Sequence, residues 1–270
     1  MFDVVLPTVL FLVTAATLYV HSKYEMRGES IFEERKLDYR YAVIMVVATG
    51  IMASVLLLIP DKAVMFFFIS TYSLLLFLFT YLVAPKWYLS FLPPALFIAI
   101  FFSPYWMFNV FGVYWIFNVF GIVFAILVSV LLGSLFEWKT TAVFVGLITI
   151  VDVVQVLVTG HMVESGRILV ELRLPVMIIL PTFPYVGGLF ALGLGDFFLS
   201  GLLSIQTAQK YGRKLGLASA MAIAVVFLVF QTVLLNFNVQ AFPATVIVIS
   251  GWLIVLVAQY FYQSNRLKHG

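Results

Sequence analysis

Cysteine is absent from the chain, which excludes disulfides, thiolate metal sites and a cysteine nucleophile. Charge is scarce as well. Asp, Glu, Lys and Arg make up 10% of the 270 residues, against about 25% in a soluble domain, while hydrophobic residues make up 64%, against about 45–50%. Too few polar side chains remain to coat a soluble core, and apolar runs long enough to span a bilayer recur along the chain. The formal charge of +3 is scattered over short loops, so it reads as membrane orientation and excludes a nucleic-acid surface. The first apolar run, residues 2 to 20, lacks the basic flank of a signal peptide and is expected to be a retained helix. These deficits define a polytopic membrane protein whose solvent is the lipid bilayer.

Nine apolar spans are predicted, at about residues 2 to 20, 41 to 60, 63 to 84, 88 to 103, 108 to 136, 140 to 160, 187 to 208, 216 to 236 and 243 to 263. The fold class expected is therefore an all-α polytopic membrane protein forming one membrane domain, with spans one to six in residues 1 to 160 and the rest in 161 to 270. The fourth span is short and carries Pro93 and Pro94, which bend or break a helix. The longest polar segment, "HSKYEMRGESIFEERKLDYR", balances its acids against its bases and reads as a solvated extension of a helix end. One repeat is visible: "YWMFNVFG" at 105 to 112 returns as "YWIFNVFG" at 114 to 121. A shift of nine residues is two and a half helical turns, so the copies face opposite ways, as aromatic packing or interfacial segments would.

What the apolar spans do contain is two acids. Asp152 and Asp196 lie well inside them, and no Lys or Arg lies at comparable depth. Such a carboxylate costs on the order of 2.5–3.5 kcal/mol on insertion scales, and intramembrane acids usually mark a working site. Asp152 falls about eight residues before the end of span six and Asp196 about nine after the start of span seven. At 1.5 Å per helical residue both are expected roughly 12–14 Å from one membrane face, where they can meet. Thr149, Asp152, Gln155 and Thr159 share one helical face, as do Asp196, Ser200, Ser204 and Thr207, so Thr149, Gln155 and Ser200 are candidates to line a wet cavity. Interhelical hydrogen bonding is the ordinary use of such Ser and Thr residues. Gly193 and Gly195 flank Leu194 and remove side chains beside Asp196, which permits close approach of a helix or a substrate backbone.

Two close carboxylates share a proton, and such a pair can activate water for peptide hydrolysis with no metal and no covalent intermediate. The alternatives are a proton-coupled transporter using the same acids and an enzyme of the prepilin-peptidase type, which cuts at the membrane surface and would carry its acids near helix ends.

"GLGD" at 193 to 196, Asp152 in the preceding span and "FPAT" at 242 to 245 opening the last span together resemble the GxGD intramembrane aspartyl proteases: presenilins, signal peptide peptidases and their prokaryotic homologues. The resemblance covers essentially the whole chain. It implies a nine-helix presenilin-like fold, a catalytic pair Asp152 and Asp196, and motif or substrate contacts from Gly193, Leu194, Gly195, Pro243, Ala244 and Thr245. It implies no cofactor and no metal, transmembrane-helix peptides as substrates, and no obligatory accessory subunit. Two positions depart from the family pattern: Val151 stands where the family often has Tyr, and Thr245 where its Pro-Ala-Leu motif has Leu. The run "LPVMIILPT", 174 to 182, lies where the family has a segment that could offer an extended edge to an opened substrate. A short re-entrant or interfacial helix is the competing expectation for that run.

With nine spans, every Lys and Arg except Lys62, Arg167 and Arg173 falls on the side of the C-terminus. That bias predicts a cell-membrane protein with its N-terminus outside and its C-terminus cytoplasmic, and hence type II substrates, whose N-terminus is cytoplasmic.

Overall fold

A computed structural model describes residues 2–32, 36–103, 113–184, 189–237 and 242–269. The helices are α1 (Val5–Phe32), α2 (Tyr39–Val55), α3 (Asp61–Val83), α4 (Trp87–Ser90), α5 (Leu92–Phe101), α6 (Val113–Leu135), α7 (Trp138–Val153), α8 (His161–Glu171), α9 (Leu194–Tyr211), α10 (Arg213–Phe237) and α11 (Ala244–His269). Among the described residues, seven helices are long and apolar enough to cross a membrane: α1, α2, α3, α6, α7, α10 and α11. The chain is thus a mostly helical, multi-pass membrane protein.

Two of the nine expected spans take another form. The fourth is divided at Phe91 into α4 and α5, because Pro93 and Pro94 are tolerated only in a first helical turn, where their missing N–H groups have no partner to lose. The seventh is not helical from its start. Residues 189–193 form strand β2 (Leu189–Gly193), antiparallel to β1 (Met177–Pro181), and helix begins at Leu194. The chain is otherwise helical, in keeping with the all-α polytopic expectation, and this hairpin is the one paired sheet among the described residues. The connection between spans six and seven also holds α8, whose His161–Glu171 sequence is strongly amphipathic and whose Arg167 pairs with Glu164 and Glu171 on an exposed face. The first copy of the aromatic repeat lies outside the described residues.

Helix α9 is the centre of the molecule. Its residues from Leu199 to Thr207 are buried without interruption, and it packs on α1, α6, α10 and α11. Close approach is made possible by small residues. A Cβ on Gly201 would stand 2.8 Å from Ser129 Cβ, and one on Gly216 of α10 would stand 2.8 Å from the Ser204 carbonyl oxygen. Several polar side chains that enter this interior are paired, as Thr14 with Ser200 (2.9 Å), or bonded to a carbonyl one turn back, as Thr17, Ser129 and Thr207 are, while the buried hydroxyls of Ser204 and Ser219 have no hydrogen-bond partner among the described residues.

The structure has two distinguishable ends. At one, Lys36 donates to the Ser134 carbonyl, Leu37 bridges Phe136, and Lys210 lies 4.0 Å from the centre of the Trp138 ring. At the other, buried Asp3 accepts hydrogen bonds from the Val5 and Phe183 amides and from the Gln231 side chain. The starts of α8 and α11 also lie at this second end. It is there that the two intramembrane acids are found.

Candidate active site at two breaks in the helices

Both acids sit where regular helix gives way. Asp152 is the penultimate residue of α7, after which the chain widens into π-helical turns over Val154–Thr159 and stops at Gly160, whose φ of 70° is left-handed. Asp196 is the third residue of α9, directly after β2. Asp152 stays inside the apolar span Trp138–Thr159, seven residues before its end, as expected from the sequence, whereas Asp196, expected nine residues into a helix, is the third residue of one. The glycine-rich approach to Asp196 is a poor helix former, and it gains hydrogen bonds by pairing with β1 instead. A strand rises about 3.3 Å per residue, so β2 covers more than twice the distance the same residues would span as helix. Within a membrane, such irregular backbone is tolerated where it is buried in protein or lines a cavity. π turns likewise recur at working sites.

Helices α7 and α9 pack against each other, so the elements that carry Asp152 and Asp196 are neighbours. Among the described residues neither has a salt-bridge partner. Asp152 Oδ2 accepts a 2.6 Å hydrogen bond from Thr245 Oγ1, and the Thr245 amide faces the same carboxylate. Thr245 is the second residue of α11, with Ala244 the first and buried Pro243 the cap whose carbonyl accepts from the Val246 amide. The last span is thus tied to span six by the residue that departs from the Pro-Ala-Leu pattern.

The glycines and their neighbour differ in role. A Cβ on Gly193 would lie 3.4 Å from Asp196 Oδ2, so this residue keeps the ground beside the carboxylate clear. Gly195 is exposed, and a Cβ there would meet only Phe198, at 3.8 Å. Leu194 is buried and its amide donates to the Val176 carbonyl, closing the hairpin onto the helix.

The candidate lining residues separate. Ser200 is fully enclosed and paired with Thr14 of α1. Gln155 donates to the Gly50 carbonyl of α2 (2.7 Å) from the π segment. Thr149 borders an apolar groove between α7 and α11 that also touches Val153 and Trp252. Among the described residues no three His, Asp or Glu side chains gather as metal ligands would.

The run at 174 to 182 is extended from Met177 to Pro181, not helical. Its outer edge is not open, however: Asn118 of α6 bonds both backbone groups of Ile179. Sequence reasoning gave Asn118 no role, although it stands inside the repeat that drew attention.

Comparison with known families gives no matching family model, and comparison with curated proteins gives no match.

Proposed function

We propose that this chain is an intramembrane aspartic protease that hydrolyses peptide bonds within transmembrane helices, and that it belongs with the GxGD enzymes. The observation that carries the reading is that two acids with no salt-bridge partner among the described residues lie on packed helices, one just before a π segment and the other in the first turn after a strand. One carboxylate takes a proton from water as its oxygen attacks the scissile carbonyl. The protonated partner hydrogen-bonds that carbonyl and protonates the oxyanion. Collapse of the resulting gem-diol passes a proton to the leaving nitrogen as the C–N bond breaks. Because the pair titrates as a unit, activity is expected to fall on both sides of one pH optimum.

A helical substrate hides its carbonyls, so it must open first and pair elsewhere. Residues opposite each other in an antiparallel ladder alternate between bonded and unbonded pairs. Since Asn118 holds Ile179, the pair Ile179–Ala191 is an unbonded one, and the N–H and C=O of Ala191 point away from β1. The same alternation applies to Leu189 and Gly193. Ala191 is exposed, and this edge of β2 runs straight into Asp196. The opened substrate is proposed to pair there, and not along β1.

The test is cleavage of a type II transmembrane peptide by protein purified in detergent. Product is expected for wild type and none for Asp152→Ala or Asp196→Ala; retained cleavage in either variant removes that acid from the mechanism. The position of Asp196 in a first helical turn is what a surface-cutting, prepilin-peptidase-type enzyme requires of its acids, although Asp152 lies seven residues inside its span. A substrate whose cut site lies outside the apolar segment distinguishes the two readings by being the one cleaved.

A further inference from the structure

Asn118 lies on α6 within the second copy of the repeat and is almost fully buried. Its Nδ2 donates to the Ile179 carbonyl at 2.7 Å, and its Oδ1 accepts from the Ile179 amide at 2.8 Å. Several buried Ser and Thr residues of this chain bond a carbonyl of their own helix one turn back, as Thr14, Ser129 and Thr207 do. Asn118 instead reaches across to one residue of a strand and satisfies both of its backbone groups. An antiparallel neighbour exchanges the same two bonds with the residue opposite it, so the side-chain amide imitates one residue of a third strand.

One turn along the same face, Gly121 brings α6 against the hairpin. A Cβ at Gly121 would stand 3.1 Å from Leu194 Cδ2 and 3.6 Å from the Met177 carbonyl oxygen. The Asn and the Gly of "FNVFG" are therefore two of the residues through which α6 meets the hairpin and the start of α9. Helix α6 and helix α1 both pack on β1, whereas the main contacts of β2 are with β1 and α9. Asn118 therefore holds the middle of β1, while Asp3 and Val4 hold the chain just beyond it at Phe183.

We propose that Asn118 is a positioning residue of this site: it fills the outer edge of β1 as a one-residue strand, fixes the hairpin register beside Asp196, and leaves β2 as the edge at which an opened substrate can pair. The proposal rests on the proteolytic reading for its substrate and on geometry alone for the clamp. Leucine at 118 keeps the bulk but removes both bonds, leaving the Ile179 amide and carbonyl free to slip or to pair with substrate. Aspartate keeps the acceptor and loses the donor.

The experiment uses the full chain in detergent, as wild type, Asn118→Leu and Asn118→Asp. Without substrate, hydrogen–deuterium exchange of the segment containing Ile179 is expected to rise at least tenfold in Asn118→Leu and by less in Asn118→Asp. With a type II transmembrane peptide, product masses are expected to broaden from the wild-type set to include cuts displaced by two residues. Two is the slip that keeps each side chain on its own face of the sheet. Unchanged exchange in both variants overturns the clamp. Fewer products with unaltered masses reduces Asn118 to a structural role and overturns the register claim. If Asn118→Leu does not fold, the same two readouts on Asn118→Asp decide. An inactive wild type removes the proteolytic reading instead, and exchange alone then decides the clamp.

Discussion

At the scale of single residues, Thr245 carries the sharpest consequence. Its hydroxyl donates to Asp152 Oδ2 at 2.6 Å, which fixes the orientation of that carboxylate. A hydrogen bond to a charged group contributes about 1.5–3 kcal/mol. Thr245→Val, which keeps the shape and drops the hydroxyl, is expected to lower the single-turnover cleavage rate roughly ten- to hundredfold. Thr245→Ser is expected to restore most of it, and equal rates in the two variants would show the hydroxyl to be idle. Gly193 makes a graded prediction. Its φ of −63° is open to any residue, and a Cβ would only touch Asp196 Oδ2. Gly193→Ala is therefore expected to keep measurable cleavage, while Gly193→Leu, whose further atoms must enter the space beside the carboxylate, is expected to abolish it at unchanged thermal stability.

At the scale of elements, the helices were legible where apolar length alone decides, and less so where the chain departs from helix. The break at Phe91 could be read from Pro93 and Pro94, and the extended run from its bounding prolines and β-branched residues. The start of α9 could not, because "YVGGLFALGLGD" is as apolar as a span. Only pairing with β1, a contact between segments, makes it a strand. The π turns after Asp152 and the clamp by Asn118 depend likewise on partners distant in sequence, Gly50 for Gln155 and Ile179 for Asn118. That the helices carrying the two acids are neighbours was readable from their order along the chain, whereas the position of Asp196 in a first helical turn was not. The polar stripe of span seven was not, since Ser200 and Thr207 face α1 and α11, which periodicity within one helix does not reveal. Proline separates the two strands experimentally. At Ala191 it removes an N–H that points away from β1, so the hairpin is expected to persist while transmembrane cleavage is lost. At Ile178, whose partner Leu192 forms a bonded pair, it is expected to disrupt the hairpin and lower thermal stability as well.

At the scale of the whole molecule, the two ends constrain how many times the chain crosses. The N-terminal Asp3, the late part of α2 through Ser54, the start of α8 through His161, and the hairpin are tied together at one end. The regions after α1, α6 and α9 meet at the other, through Lys36, Phe136 and Lys210. Helix α6 begins beside the hairpin, at Asn118, and finishes at the lysine end, while α3 begins where α2 ended. The stretch from α3 to α6 must therefore start and finish at the same end. If α3 crosses, the divided helix α4–α5 must bring the chain back, although it is shorter than the seven clear spans. Such a return would bring the crossings to the nine expected from the sequence, and the Lys and Arg bias would then put the lysine end in the cytoplasm. The absence of cysteine makes it directly testable, because a single introduced thiol has no background. Lys62→Cys, at the start of α3, is expected to react with a membrane-impermeant maleimide in intact cells. Lys86→Cys, between α3 and α4, and Lys210→Cys are expected to react only after lysis. Labelling of position 86 alongside position 62 would mean that α3 does not cross, and the nine-span arrangement, with the substrate orientation drawn from it, would have to be abandoned.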